Sequence, residues 1–375
     1  MGQRIMVGCD LHDRSMLLRV ACGRGAARTV SVRNTPEGRQ TMIQNLIAEA
    51  TAVDGQAIFA YEASGQGFGL YDELTAAGIE AHVLAPTKLV RSPKQRRNKT
   101  DLRDADVMVD LLRAHVLAGN ELPSVWVPDA VTRDARELVR TRIDVATKIT
   151  RLKTQIQCLL KRNRLERPKA VGVGWTAAFR RWLAGLAAGD GDAIGAAGKS
   201  GMRGALGSLL RQLAFYEQET RQLDLELVNL AYSPRYAQAV AALVGLPGVG
   251  VLTALVFLTE LGDPTRFKNR RAISAYLGLA PTCNETGERN DRKGHITSQG
   301  PSRVRRALCQ AAWAYMRLDA GVDADAYARI VERNPKHKKI AVVAVMRRLA
   351  VKMWHRACAV WSQHDGRIEP LAVSA

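Results

Sequence analysis

The sequence predicts an α/β domain followed by an extended all-α region, on three observations. Short apolar runs separated by a helical stretch fill residues 1–125, sustained helical spacing without strand signals fills 126–235, and residues 236–375 stay helical but are punctuated by Gly, Pro and basic clusters.

In the first stretch Ile5 to Cys9, Ser15 to Ala21, Ala57 to Tyr61 and Ala81 to Ala85 read as buried strands. Gly65 to Gly69 opens a helix through Leu70, Leu74 and Ala77 that Gly78 closes. A strand, helix, strand unit implies an α/β sheet. From Asp129 to Asn163, Ala146, Ile149, Leu152, Ile156 and Leu159 recur every three or four residues as a narrow apolar seam. After a Gly- and Ala-rich interval from Ala184 to Gly201, Leu206, Leu210, Leu213, Leu223, Leu227 and Leu230 resume the stripe. Two such helices pair either by folding back within one chain or by joining two chains.

The chain has 375 residues with 55 Lys and Arg against 36 Asp and Glu, a net charge of +19, which points to a polyanionic partner, with nucleic acid first. Neither a lipidation signal nor a basic amphipathic segment favours a membrane surface, no apolar run approaches the roughly 20 residues of a span, and the reading is cytoplasmic. Six scattered cysteines suggest buried free thiols rather than a disulfide framework. The histidines, His12, His82 and His115 among them, form no ligand cluster along the sequence, so no structural zinc is expected.

Acidic residues supply the chemical signal. Asp10 directly follows the apolar run Ile5 to Cys9, and Glu62 closes Ala57 to Tyr61 in the same way, so both fall at strand carboxyl ends, where α/β sheets assemble their sites. A turn role is the alternative for either alone. In the helix that starts near Asp101, the residues Asp101, Asp104, Met108, Leu111, Leu112 and His115 share one stripe, whereas Asp106 and Asp110 lie opposite with Arg103 and Arg113. Carboxylates on a core-facing stripe are costly unless they converge on a hard cation such as Mg²⁺ or Mn²⁺; otherwise Asp101 is a helix N-cap and Asp104 a first-turn acid. Four carboxylates around divalent cations suit phosphodiester chemistry, which needs an oriented oxygen nucleophile and neutralised phosphate charge.

Lys88, Arg91, Lys94, Arg96, Arg97 and Lys99 precede that helix as a basic loop placed to grip phosphate. Further on, Leu246-Pro247-Gly248-Val249-Gly250 reads as a helix-hairpin-helix-like turn whose Gly248 and Gly250 amides face phosphate, or as a plain helix-loop-helix. Arg289, Arg292 and Lys293, then Arg303, Arg305 and Arg306, surround a block of hydroxyls between Gly278 and Gly300.

Gly8-Cys9-Asp10, Tyr61-Glu62-Ala63-Ser64-Gly65, Asn98-Lys99-Thr100-Asp101 with Asp104-Ala105, and the block from Leu246 to Arg306 together resemble the DEDD transposases of bacterial insertion sequences. That family is related to the Piv invertases and includes bridge-RNA-guided recombinases. The resemblance spans nearly the whole chain. It implies an RNase H-like (RuvC-type) domain over 1–125 whose four metal-binding acids are Asp10, Glu62, Asp101 and Asp104. It further implies a long-helix, coiled-coil-like region over 126–235 and a helical transposase domain over 236–375. The expected partners are DNA, a non-coding guide RNA and further copies of the chain. The family also uses a serine before a glycine as covalent nucleophile, and here Thr286 stands at that position; Thr286 itself, Ser298 or Ser302 takes the role, or the covalent chemistry is lost. A water-using junction resolvase and a non-catalytic nucleic-acid-binding protein are the rival functions.

Overall fold

The computed structural model describes residues 3–89, 100–172, 174–189, 200–283, 293–318, 322–336 and 338–361. It divides into two compact units, Met1–Val127 and Pro128–Ala375. The mixed α/β first unit and the helical second are as expected from the sequence.

The first unit is a five-stranded sheet. Strands β1 (Arg4–Leu11), β2 (Ser15–Cys22), β3 (Arg28–Arg33), β4 (Gln56–Glu62) and β5 (Glu80–Leu84) lie in the order β3-β2-β1-β4-β5. The first three are antiparallel neighbours, while β4 and β5 run parallel to β1 and to each other. Alternation along each strand sorts the core into two layers. Ile5, Val7 and Cys9 with Phe59 and Tyr61 face helices α1 (Pro36–Ala52) and α2 (Gly69–Ala76). Met6, Ile58, Ala60 and Leu84 face α3 (Asp101–Ala118), against Met108 and Leu112.

Two elements lie outside the sequence expectation. Strand β3 is polar and largely exposed, so it has no apolar run. Helix α1 is capped by Thr35 with Pro36 in its first turn and buries Met42, Ile43, Leu46 and Ala50, a helical spacing. The helix expected from Gly65 begins at Gly69; Gly78 closes it with φ +79° while Ile79 N–H donates to Leu74 O, a Schellman-type end. Beyond β5, residues 123–125 add to the sheet edge. Ala85 N–H donates to Pro123 O and Val125 N–H to Val83 O, at 2.9 and 2.7 Å.

In the second unit, helices α4 (Ala130–Arg162) and α6 (Ser200–Ala231) fold back on each other within one chain. Arg142 holds Asp224 through two hydrogen bonds, of 2.8 and 3.2 Å, and Lys148 lies over the Tyr216 ring, so the pair is antiparallel. The interval between them is not merely a break, since α5 (Ala177–Ala188) inserts Phe179, Leu183 and Leu186 among Leu152, Ile156 and Leu206. Cys158 is exposed on α4 rather than buried, because it falls off the Leu152–Ile156–Leu159 seam. At the other end of the pair, Ala135, Val139 and Leu227 join the core of α7 (Ala237–Val244), α8 (Val251–Leu261), α10 (Ser302–Leu318) and α12 (Lys338–Trp361). Helices α9 (Arg270–Tyr276) and α11 (Val322–Arg333) and the hairpin of β6 (Pro281–Cys283) and β7 (Lys293–Ile296) complete this unit. Glu260, buried on α8, is held bidentate by Arg140 of α4 at 2.8 and 2.9 Å, a paired burial that offsets the cost of taking the charge out of water. Among the described residues no helix is long and apolar enough to cross a membrane.

Candidate active site

The carboxyl edge of the N-terminal sheet gathers the acids. Cys9 pairs with Tyr61 across the parallel β1–β4 ladder, so Asp10 and Glu62 follow at the same level and, by alternation, project to the α3 side. Helix α3 crosses β1 at Gly8, where a Cβ would stand 2.3 Å from Ala105 O and 2.9 Å from Met108 Cβ. Only glycine admits this approach, and it brings the first turn of α3 down onto the strand end.

Asp104 is buried there at 8% exposure. Asp101 sits at the first helical position and remains mostly exposed, so it does not face the core as its stripe suggests. Neither is it the N-cap, since Thr100 takes that place and accepts from Arg103 N–H. The two acids expected on the opposite face divide as well. Asp110 pairs with Arg113 on the helix surface, but Asp106 accepts a 2.6 Å hydrogen bond from Arg19 of β2, because the helix lies across β1 toward that strand.

His12, two residues past Asp10, completes the cluster. Its Nε2 lies 3.3 Å from Asp10 Oδ2 and 3.3 Å from Asp101 Oδ2, and the three ligand atoms fall within 4.8 Å of one another. The sequence contains no signal for this beyond the spacing from Asp10. Burial pushes the Asp10 carboxyl above its ordinary value; His12 pulls the other way, and the charges of Asp101 and Asp104 raise it further. A carboxyl held above its ordinary value by burial and neighbouring acids belongs to a donor set suited to a hard divalent cation. A cleft lined by residues 11–15 and 64–66 opens beside them, and the last two residues of the Tyr61-to-Gly65 motif, Ser64 and Gly65, form part of its wall.

The basic residues fare unequally. Lys88 is exposed after β5, whereas Arg91, Lys94, Arg96, Arg97 and Lys99 lie outside the described residues, as do Thr286, Arg289 and Arg292. Thr286 falls in sequence between β6 and β7, of which Lys293 opens the second. Ser298 is exposed just past the hairpin and Ser302 begins α10. Gly248 (φ +78°) packs against α10, with Tyr315 N 2.7 Å and Ala311 O 2.8 Å from where its Cβ would be, while Gly250 faces open space at the start of α8.

Arg305 is a scaffold residue. Its guanidinium donates to the carbonyls of Leu277, Gln299, Gly300 and Ser298 at 2.8–3.2 Å, clasping the segments around Gly278 and Gly300. Both glycines have positive φ and stand too close to a carbonyl for any side chain, Gly278 to Gln299 O and Gly300 to Tyr276 O. Arg303 and Arg306 differ: they line a groove with Arg142 and Arg151 of α4, where Arg303 lies 3.7 Å from Asp144 and Arg306 donates to Thr147 at 3.2 Å.

An acid cluster at a sheet's carboxyl edge and an arginine-lined groove define a class of protein that works on phosphodiesters, and the comparisons with known proteins resolve which. A family model described as "Transposase", of the DEDD type, matches residues 7–163, and one described as "Transposase IS116/IS110/IS902 family" matches 240–328. The chain is 32% identical to a putative transposase, y4qE, of Sinorhizobium fredii, over 82% of this chain and 71% of that protein. It is 21% identical to the transposase for insertion sequence element IS1533 of Leptospira borgpetersenii, over 94% and 95%. It is 28% identical to the pilin gene-inverting protein of Moraxella bovis, over 34% and 40%. The chain belongs to the IS110 family of insertion-sequence transposases, enzymes that cleave and rejoin DNA.

Proposed function

We propose that this chain cuts and rejoins DNA through an RNase H-like (RuvC-type) domain, residues 1–125, in which Asp10, Glu62, Asp101 and Asp104 would hold Mg²⁺ or Mn²⁺. The observation that carries the reading is the convergence of Asp10, Asp101 and Asp104 at one sheet edge, with Asp10 raised first by burial and then by its like-charged neighbours. The cation, when bound, neutralises phosphate charge and polarises the reacting oxygens. His12 orients Asp10 and Asp101 from between them.

The helical arm, 126–235, folded back within each chain, presents its outer side to a second copy, and the C-terminal transposase domain, 236–375, supplies the nucleophile. The Thr286 hydroxyl oxygen forms a bond to phosphorus, the scissile P–O bond breaks, and the hydroxyl proton ends on the departing DNA oxygen. The helix-hairpin-helix-like turn at Gly248 and Gly250, the basic segments Lys88–Lys99 and Arg289–Lys293, and the groove of Arg303, Arg306, Arg142 and Arg151 hold phosphates. The partners are the element's ends, its target and a non-coding guide RNA in the cytoplasm, at the nucleoid; a charge of +19 suits both polyanions.

The test is to incubate the protein with Mg²⁺ and DNA bearing the element's ends, denature it, and map protein–DNA adducts by peptide mass spectrometry. An adduct on Thr286, absent in Thr286→Ala and in Asp10→Asn, is expected. Cleaved ends that depend on Asp10 without any adduct would replace the threonine step with attack by water.

A further inference from the structure

The α3 face of the sheet carries a second polar cluster at its opposite end. Glu80 and His82 alternate on β5 with Leu84, which packs beside Met108 and Leu112, so all three project toward α3. His115 follows Leu112 by three residues on the same stripe of that helix. One ligand atom from each of Glu80, His82 and His115 lies within 4.8 Å of the others, and the two imidazole rings meet edge to face with centroids 5.8 Å apart. Packing of α3 on β5 closes a gap of 33 residues, so the expectation that these histidines form no ligand cluster is corrected by the fold.

Each ring also has an outer partner. His115 Nδ1 lies 2.7 Å from Asn120 O, and a carbonyl can only accept; the neutral ring therefore carries its proton on Nδ1 and keeps a lone pair on Nε2. His82 Nδ1 lies 3.5 Å from Ser124 Oγ, which leaves its Nε2 toward Glu80 Oε1, 3.1 Å away. Ser124 belongs to the segment that hydrogen-bonds along β5, while Asn120 N–H donates to Ala114 O at the end of α3, so each orienting group is tied to the element that carries its histidine. Outer hydrogen bonds of this kind set the tautomer and aim of metal-binding histidines. Arg4 Nη1 holds the other Glu80 oxygen at 3.0 Å. Burial opposes ionisation of Glu80, but the hydrogen bonds and charges of His82 and Arg4 outweigh it and hold the carboxyl below its ordinary value.

We propose that Glu80, His82 and His115 form a binding site for a divalent transition metal of the zinc class, with two imidazole nitrogens, one carboxylate oxygen and a water as ligands. The donor set selects against Mg²⁺ and Ca²⁺, which take oxygen ligands. His115 is fourteen residues from Asp101, about 21 Å along the helix axis, so the two clusters cannot share an ion. The bound metal fastens the last turn of α3 to β5 and thereby steadies the helix whose first turn carries Asp101 and Asp104. The inference stands independently of the chemistry proposed for those acids.

The untagged, full-length chain, stripped with chelator, is titrated with Co²⁺ and followed in the visible. One equivalent is expected to give the intense bands of tetrahedral Co²⁺, and Zn²⁺ to displace it and raise Tm. His82→Ala and His115→Gln are each expected to weaken Co²⁺ binding by roughly tenfold or more, while Asp10→Asn with Asp101→Asn leaves it unchanged. If a histidine variant fails to fold, Glu80→Gln, an exposed and near-isosteric change, carries the same expectation. Bands that survive His115→Gln, or vanish in the Asp10→Asn, Asp101→Asn chain, or never form with the folded wild-type protein, overturn the site.

Discussion

The carboxyl edge of the N-terminal sheet and the glycine clasp around Gly278 and Gly300 are both dense in charge, but their charges have opposite relations to the surrounding backbone. Burial and the neighbouring Asp101 and Asp104 all oppose the charge of Asp10, with His12 between Asp10 and Asp101. Burial also opposes the charge of Arg305 and lowers its pKa, but its guanidinium donates to four carbonyls that hold it where it stands. A carboxyl crowded by like charges is a candidate for binding something outside the fold, whereas a guanidinium spent on four backbone carbonyls is architecture. Arg306, a single residue along from Arg305, borders the α4 groove and donates there to the Thr147 side chain rather than to backbone carbonyls.

The contrast is most sharply broken at Gly8. Gly8→Val places carbon where Ala105 O and Met108 Cβ already stand, so α3 must lift from β1. The expected outcome is a loss of about 3 kcal/mol in urea unfolding and of metal-dependent DNA cleavage. Cleavage at the wild-type rate would show that the helix need not sit on the strand. Next comes Arg305→Ala, expected to cost about 2 kcal/mol by the same measurement, with any drop in DNA affinity following the loss of folded protein. An unchanged unfolding midpoint combined with weaker DNA binding would move Arg305 out of the scaffold.

A smaller effect is expected from pH. The Asp10 carboxyl is raised in the folded protein, first by burial and then by Asp101 and Asp104. Its contribution to stability is therefore fully present below the unfolded carboxylate value and is lost as pH rises through the folded one. In chelator, Tm should fall across that window in the wild type and stay flatter in Asp10→Asn; parallel curves would show that Asp10 ionises without strain. Arg306→Ala should give the smallest change in folding, within about 0.5 kcal/mol, yet reduce the magnitude of the salt dependence of DNA binding by about 0.9 in log–log slope. An unaltered slope would remove Arg306 from the phosphate contacts.

Much of the N-terminal unit is legible in the sequence because β1, β2, β4 and β5 are buried runs, and an acid directly after such a run is conspicuous. Asp10 and Glu62 are found this way. His12 is not, because nothing in a sequence distinguishes a histidine just past a strand from any other loop residue until α3 brings Asp101 beside it. Strand β3 offers the core only Val30 and Val32, both half-buried, and α1, although regular, carries its core positions among polar neighbours. Arg305 shows the opposite failure: a basic cluster reads as a phosphate grip, and only coordinates show which guanidinium is already taken by backbone carbonyls. The long helices are legible as stripes, but their choice between one chain and two rests on Arg142 finding Asp224 in the same chain.

The segment at residues 123–125 that hydrogen-bonds to β5 has a further consequence for solubility. With that side closed, β3 is the sheet's one open border among the described residues, and Arg28 and Arg33 stand at its two ends. Two such borders meeting antiparallel would set Arg33 against the copy's Arg28, and because Arg28 already pairs with Glu49 the charge that opposes edge-to-edge joining rests mainly on Arg33.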